Sequence, residues 1–332
     1  MNTLKLDSRA RRKVKTCPCG KSNKDGKFVP FKNEEQFGYC HACGETYFPS
    51  KTSENTSNYF KKIDTSHRPI DFIPLEIFEK YRQMDYGIEA AKEDESLDYC
   101  AFIVGLANIL YKEGNLTKKA FIALCTRYQL TRSNDRKGIV FWQIDHLYRI
   151  RTGKIMWYDA VTCKRKQGAT TITYVEKQQL KPDFNASACF FGEHLLSLYP
   201  NAIVGLVESE KTAIYMSAIH PNMVWLATGG KNGAKWTSRS VYIPLLDRQV
   251  VIFPDLDAHD VWTQKAKILT NAGIDLEVSS ILMDMNNAFK SQYPKADIMD
   301  LGLIQKWHQK ITQDHLDIIE NKWISKPLYK LM

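Results

Sequence analysis

No stretch of the 332 residues approaches the roughly 18 consecutive apolar residues that a membrane-spanning helix requires. The opening segment, MNTLKLDSRARRKVK, lacks the apolar centre of a secretion signal. Both absences lead to the expectation of a cytoplasmic protein without a membrane partner. Internal repeats and low-complexity tracts are missing as well, which argues against solenoids and disordered arrays. Acidic residues are scarce at the front: residues 1–70 hold 14 Lys and Arg against 7 Asp and Glu, whereas residues 71–332 are nearly balanced at 32 against 30. The formal charge of +9 is therefore concentrated in one segment, as suits a module attracted to phosphates. Cysteine is sparse after residue 43. Cys100, Cys125, Cys163 and Cys189 stand singly in apolar surroundings and read as buried hydrophobes rather than disulfide partners.

With 44% hydrophobic residues, the chain can build two or three cores. Residues 1–49 form a basic arm followed by a compact Cys/Gly/aromatic unit, and residues 50–70 are polar enough to read as a linker. Residues 71–185 combine a helical layer with a β-hairpin. Pro74 precedes LEIFEKYRQM at a helix start, and LDYCAFIVGLANILYK and TKKAFIALCTRYQL carry apolar residues at helical spacing. GIVFWQIDHLYRI and KIMWYDAV are rich in aromatic and β-branched residues, and RTGK between them reads as the hairpin turn; ITYVEKQQL reads as a further strand. Residues 186–332 alternate strand and helix: AIVGLV, EKTAIYMSAI, MVWLAT, QVVIFP, DVWTQKAKILTNAG, DLEVSSILM. That alternation predicts an α/β fold around a parallel sheet. The closing LIQKWHQKITQDHLDIIENKW is amphipathic and reads as a helix packed on this domain.

Two chemical motifs stand out. The first is the pair of knuckles Cys17-Pro18-Cys19-Gly20 and Cys40-His41-Ala42-Cys43-Gly44. Thiolates in two close pairs, each followed by glycine, fit a tetrahedral Zn²⁺ site of the ribbon type. The first pair is tighter than usual, with one residue between ligands, and His41 is a nearby substitute. Such a ribbon either binds nucleic acid or only staples a fold; Arg11, Arg12 and Lys13 in front of it, with Phe28, Phe31, Phe37 and Tyr39 inside it, favour single-stranded nucleic acid.

The second is a set of strand-end acids. Glu208 closes the apolar run AIVGLV, and 47 residues later QVVIFP ends in Asp255-Leu256-Asp257. Carboxylates at the C-terminal ends of neighbouring parallel strands occupy the place where α/β folds keep their chemistry. Three such groups make a site for Mg²⁺ or Mn²⁺, suited to phosphoryl transfer. Asp297 and Asp300 are candidate supporting acids. Lys211 is placed either to touch a phosphate or to pair with the acids. Gly229 and Gly230 form a tight loop after a strand, open to a phosphate. Arg151 and Lys154 on the hairpin, with Lys164, Arg165 and Lys166 after it, read as the lining of a template or triphosphate path.

At these residues the chain resembles the TOPRIM (Rossmann-like) domain shared by bacterial DnaG-type primases, topoisomerases and related nucleases. LVESEKTA is similar to the VEGEKDA segment of phage and plasmid primases, and FFGEHLL to the short segment ahead of the TOPRIM unit. The order of zinc ribbon, lead-in and TOPRIM resembles primase-like proteins carried by mobile elements of the Bacteroidota. The resemblance implies that Glu208, Asp255 and Asp257 are catalytic and hold the metal, with Asp297 and Asp300 as a trailing acidic motif. It implies nucleoside triphosphates and single-stranded DNA as ligands and a helicase or other replication proteins as partners. The sequence departs from the primase form in D-L-D-A-H-D, which lacks that form's glycines. Three readings follow: a primase-like nucleotidyltransferase, a metal-dependent nuclease with Glu208 as general base, and a non-catalytic zinc-dependent DNA-binding replication accessory.

Overall fold

The computed structural model describes residues 6–18, 20, 22–41, 46–47, 69–82, 100–133, 138–166, 172–180, 184–230 and 233–322. They fall into two compact units, Met1–Pro69 and Ile70–Met332. No helix among the described residues is long and apolar enough to cross a membrane.

The first unit is a three-stranded antiparallel sheet, β1 (Phe28–Phe31), β2 (Glu34–Cys40) and β3 (Thr46–Tyr47), in the order β1-β2-β3. Its buried apolar cluster is small: Cys17, Phe28 and Cys40, with Val14 and Tyr47 against them. Asn23, almost wholly buried, supplies the polar connection. Its amide nitrogen donates to the carbonyls of Arg11 (2.7 Å), Val14 (2.9 Å) and Phe28 (3.2 Å), and its carbonyl accepts from the Phe28 amide at 2.7 Å. One side chain thereby fastens the basic arm to β1.

The second unit holds two four-stranded sheets. The antiparallel one runs β4 (Thr131–Arg132), β5 (Ile139–Ile144), β6 (Ile150–Met156), β7 (Ile172–Tyr174) in sequence order. β5 is buried on both faces because its alternating side chains serve two cores. Val140, Trp142 and Ile144 pack with Phe78 and Tyr81 of helix Leu75–Arg82, while Ile139 and Phe141 join the main core. The hairpin turn lies earlier than RTGK. Asp145 makes it: its carboxylate accepts from the amides of Leu147 and Arg149 (both 3.0 Å), and Tyr148 takes φ 61°. RTGK instead lies within β6, where Gly153 pairs with Trp142 and a Cβ would come within 2.8 Å of that ring. The segment ITYVEKQQL gives only a three-residue strand before helix Val175–Gln179 begins.

The other sheet is parallel throughout: β8 (Val204–Val207), β9 (Val224–Ala227), β10 (Gln249–Ile252) and β11 (Asp275–Val278), ordered β11-β10-β8-β9. Helices Glu210–Ile219 and His259–Asn271 form the β8–β9 and β10–β11 crossovers. The chain leaves β8 for β9 on one side and returns to β10 on the other, so strand order reverses between β8 and β10. That is where an open α/β sheet leaves a crevice beyond its strand ends. A single apolar core runs from the helices Ala101–Ala107 and Lys118–Arg127 through this sheet to Ile319. The last segment is broken where one helix was expected: Ile298–Ile304, a 3₁₀ turn at Trp307–Lys310, and Gln313–Asp317. Lys306 in the left-handed region (φ 54°) turns the chain after the first piece, and Thr312, whose amide donates to His315 Nδ1, caps the last.

Asn23→Ala removes four hydrogen bonds from a unit with little apolar core. At roughly 0.5–1.5 kcal/mol net per bond, the loss should expose residues 6–40 to hydrogen exchange while protection in β8–β10 stays unchanged.

Candidate active site

Glu208 follows β8 directly, and Asp255 lies three residues beyond β10, so the two acids stand on either side of the crevice at the switch point. Sequence and topology together place them: Glu208 is the first residue after its strand, and Phe253 and Pro254 carry the chain from β10 to Asp255. Asp255 is partly buried. Its carboxyl is pushed up to about 9, first by burial and then by the negative charges of Glu208, Asp297, Asp257 and Asp300. Asp257 is exposed at the rim.

Asp297 and Asp300 reach the cluster from the start of helix Ile298–Ile304, where each also has a structural task. They form a reciprocal capping box: Asp297 accepts from the Asp300 amide at 2.8 Å and Asp300 from the Asp297 amide at 3.1 Å. Asp297 also accepts from the Thr212 hydroxyl. Burial and the Asp297 charge raise the Asp300 carboxyl, while Lys211 and Lys164 oppose the shift. Lys211 therefore faces the acids, with its ammonium also 3.2 Å from the Cys163 carbonyl. Lys164, Arg165 and Lys166 are exposed beside it.

The glycine loop serves another purpose than the sequence implied. The amides of Gly229 and Gly230 both donate to the Glu208 carbonyl, at 3.0 and 3.1 Å, with φ of 78° and 142°. They are engaged in fixing the backbone of the acid and are not turned out toward a phosphate. Two nominated basic residues are likewise engaged inside the protein. Arg151 pairs with the buried Asp145 at 2.7 Å and lies over the Phe72 ring. Lys154 is buried, donating to Glu210 at 2.9 and 3.2 Å and to the Gly229 carbonyl at 2.9 Å. Glu210, a residue the sequence reading passed over, is the first residue of the helix after Glu208 and nearly wholly buried. The inward set Thr152, Lys154 and Met156 on β6 was the available signal, since alternation puts all three on one face.

Among the described residues no three His, Cys, Asp or Glu side chains converge tightly enough to chelate an ion as they stand. The acidic cluster nonetheless fits a divalent cation: its donors are all carboxylate oxygen, and the mutual repulsion focused on Asp255 is what a hard cation would relieve. Cys17 and Cys40 are buried together in a core too small to hold a fold alone, which fits a structural metal. Cys19 and Cys43 lie outside the described residues. His41 is exposed and packs edge-on against Tyr39. Arg11, Arg12 and Lys13 are all exposed in the first unit.

A family model described as "Domain of unknown function (DUF6371)" matches residues 105–256. No curated protein matches the chain. Solved structures similar to it include two primases. One is the primase fragment of the bacteriophage T7 primase-helicase protein, at TM-score 0.40 and 12% identity, covering 93% of this chain and 98% of that one. The other is the Aquifex aeolicus primase (zinc binding and RNA polymerase domains), at TM-score 0.35 and 10% identity, covering 83% of this chain and 78% of that one.

Two outcomes are expected. The folded protein holds a proton on Asp255 that the unfolded chain releases near pH 4, so this group's contribution to metal-free stability falls as pH rises from about 4 to about 9. Asp255→Asn should remove that slope, raise the metal-free melting temperature at pH 8, and abolish any further rise on adding Mg²⁺. Lys154→Met leaves Glu210 buried without its cation and should cost about 3–5 kcal/mol; in denaturant titrations, Lys154→Met combined with Glu210→Leu should recover much of that loss.

Proposed function

We propose that the chain is a primase-like nucleotidyltransferase that copies single-stranded DNA with Mg²⁺ or Mn²⁺. The observation that carries the reading is the placement of Glu208 and Asp255 across the β8–β10 crevice, with the charges of three further carboxylates, Asp257, Asp297 and Asp300, also acting on Asp255 and Lys164 and Lys211 acting against them on Asp300. The motif order read from the sequence supports it. Glu208, Asp255 and Asp257 would hold the cation, with Asp297 and Asp300 behind them. Bound there, a divalent cation supplies neutralisation of the charge that develops on phosphate oxygens.

The chain's own residues do the positioning. The glycine loop locks the Glu208 backbone through two hydrogen bonds, and the Lys154–Glu210 pair braces that loop from below. A fixed carboxylate loses little entropy when ligand arrives, which favours in-line placement of the reacting groups. Lys164, Arg165 and Lys166, which are exposed, and Lys211, held to the Cys163 carbonyl, would orient triphosphate or template phosphates. In the first unit, zinc on Cys17, Cys19, Cys40 and Cys43 would fix the ribbon, and Arg11, Arg12 and Lys13 would contact the template backbone without reading its sequence. On this reading the protein works in the cytoplasm, in replication of a mobile element, beside a helicase or other replication proteins.

The test is synthesis. Purified protein is incubated with single-stranded DNA, labelled ribo- or deoxyribonucleotides, and Mg²⁺ or Mn²⁺. Short oligomers should form, and Asp255→Asn should reduce them at least a hundredfold while leaving DNA binding within about twofold. Shortened DNA without new polymer would replace this reading with the nuclease; intact DNA and no product would leave a binding protein.

A further inference from the structure

Beside the glycine loop lies a cavity of about 250 Å³ that the acidic site does not use. Its lining is unusual for a packing defect. Buried polar side chains of Gln143, Thr152 and Glu176 line it together with small residues, Ala188, Gly229 and Ala234.

The central group is Glu176, 7% exposed. One of its oxygens accepts from the Thr152 hydroxyl and the other, at a long 3.4 Å, from the Gly153 amide. No ammonium or guanidinium pairs with it among the described residues; the nearby Lys154 goes to Glu210 instead. A carboxylate has about four acceptor positions, two donors reach this one, and the residue lines the cavity. Burying such a group without its full set of donors is costly. Across the cavity, Gln143 is equally buried. Its amide oxygen accepts from the Cys189 amide, which turns its NH₂ toward Gly229: a Cβ on Gly229 would lie 3.4 Å from that nitrogen. Tyr174 adds an aromatic wall.

These groups ask for a flat ligand with two adjacent N–H donors at one edge and an acceptor beside them. Among the standard bases only guanine offers this, through N1–H and the 2-amino group next to O6. Adenine and cytosine place an acceptor beside their donor, and uracil flanks its single N–H with two acceptors. The volume is below the roughly 300–1,000 Å³ of pockets that enclose whole drug-sized ligands, so a base would fit and its sugar and phosphates would project outside. Gly229, at the cavity wall, belongs to the same loop that holds the Glu208 carbonyl. A projecting phosphate would thus leave the cavity next to the acidic site.

We propose that this cavity is a guanine-specific nucleotide site, with Glu176 accepting from the base's N1–H and 2-amino group and Gln143 donating to O6. The base specificity is read from the lining alone; only the use of the nucleotide as a substrate rests on the function proposed above.

The test is calorimetric titration of the full chain with GMP, IMP, AMP, CMP and UMP, without divalent metal. GMP should bind at least tenfold more tightly than AMP, CMP or UMP, and IMP, lacking the 2-amino group, should fall between. Glu176→Gln replaces one acceptor by a donor. It should weaken GMP at least tenfold and strengthen XMP, whose 2-carbonyl matches the new donor; a purely structural role for Glu176 would not produce that exchange. Ala188→Leu, checked for an unchanged melting temperature, should fill the cavity and weaken GMP. Equal binding of all four standard nucleotides, no binding of any, or GMP affinity unmoved by Glu176→Gln would overturn the proposal. The two readings fail separately. Guanine-selective binding in a protein that makes no polymer sinks the primase alone, and polymer synthesis without base-selective binding sinks this pocket alone.

Discussion

The buried contact between Lys154, Glu210 and the Gly229 carbonyl is the interaction on which the rest of the second unit depends. Lys154 comes from the antiparallel sheet, Glu210 from the first turn of the helix that follows Glu208, and Gly229 from the loop beyond β9. Removing two charges from water is expensive and is tolerated only where the geometry satisfies both. Here the ammonium has three acceptors, and the arrangement admits one relative placement of the three segments. Register is what such a contact contributes, more than net stability.

That placement determines where the chemistry can sit. Glu208 is two residues before Glu210, and its carbonyl receives both glycine amides. Its position is therefore set from the helix side and the loop side at once. Asp255 is held by its own turn, its carbonyl accepting from the Ala258 amide at 2.8 Å, and its carboxyl lies against its acidic neighbours with its proton retained. The site is rigid on one flank and electrostatically loaded on the other, an arrangement that waits for positive charge.

Much of this was legible in the sequence. Contiguous apolar runs ending in acid marked β8 and β10 because a strand between two helical layers tolerates few polar residues inside the sheet; the exposed Gln249 stands only at the start of β10. The helix after Pro74 and the hairpin of aromatic strands were legible for similar local reasons. What escaped was long-range. RTGK has the composition of a turn, yet Gly153 is required by the Trp142 ring on the neighbouring strand, a fact about tertiary packing. Lys154 and Arg151 carry the charge of surface residues, and only their partners, Glu210 and Asp145, reveal that they face inward. Asp297 and Asp300 read as metal-site acids; as a capping box they also begin a helix, a double use that spacing alone does not separate. Asn23 gave no signal, since its acceptors lie on two separate stretches of chain, Arg11 and Val14 on one side of it and Phe28 on the other.

The way the chain's end is fastened sets an order on its synthesis. Asn115 donates to the Ile311 carbonyl 196 residues away, and Thr117 at the start of helix Lys118–Arg127 bonds to Glu320, 203 residues later. A ribosome adding about 5–20 residues per second must therefore make the long stretch between these residues before that helical layer meets those partners. Until then its apolar face, from Phe121 to Leu124, stays short of cover. The parallel sheet is built from segments close in sequence and can assemble before these distant contacts close the helical layer.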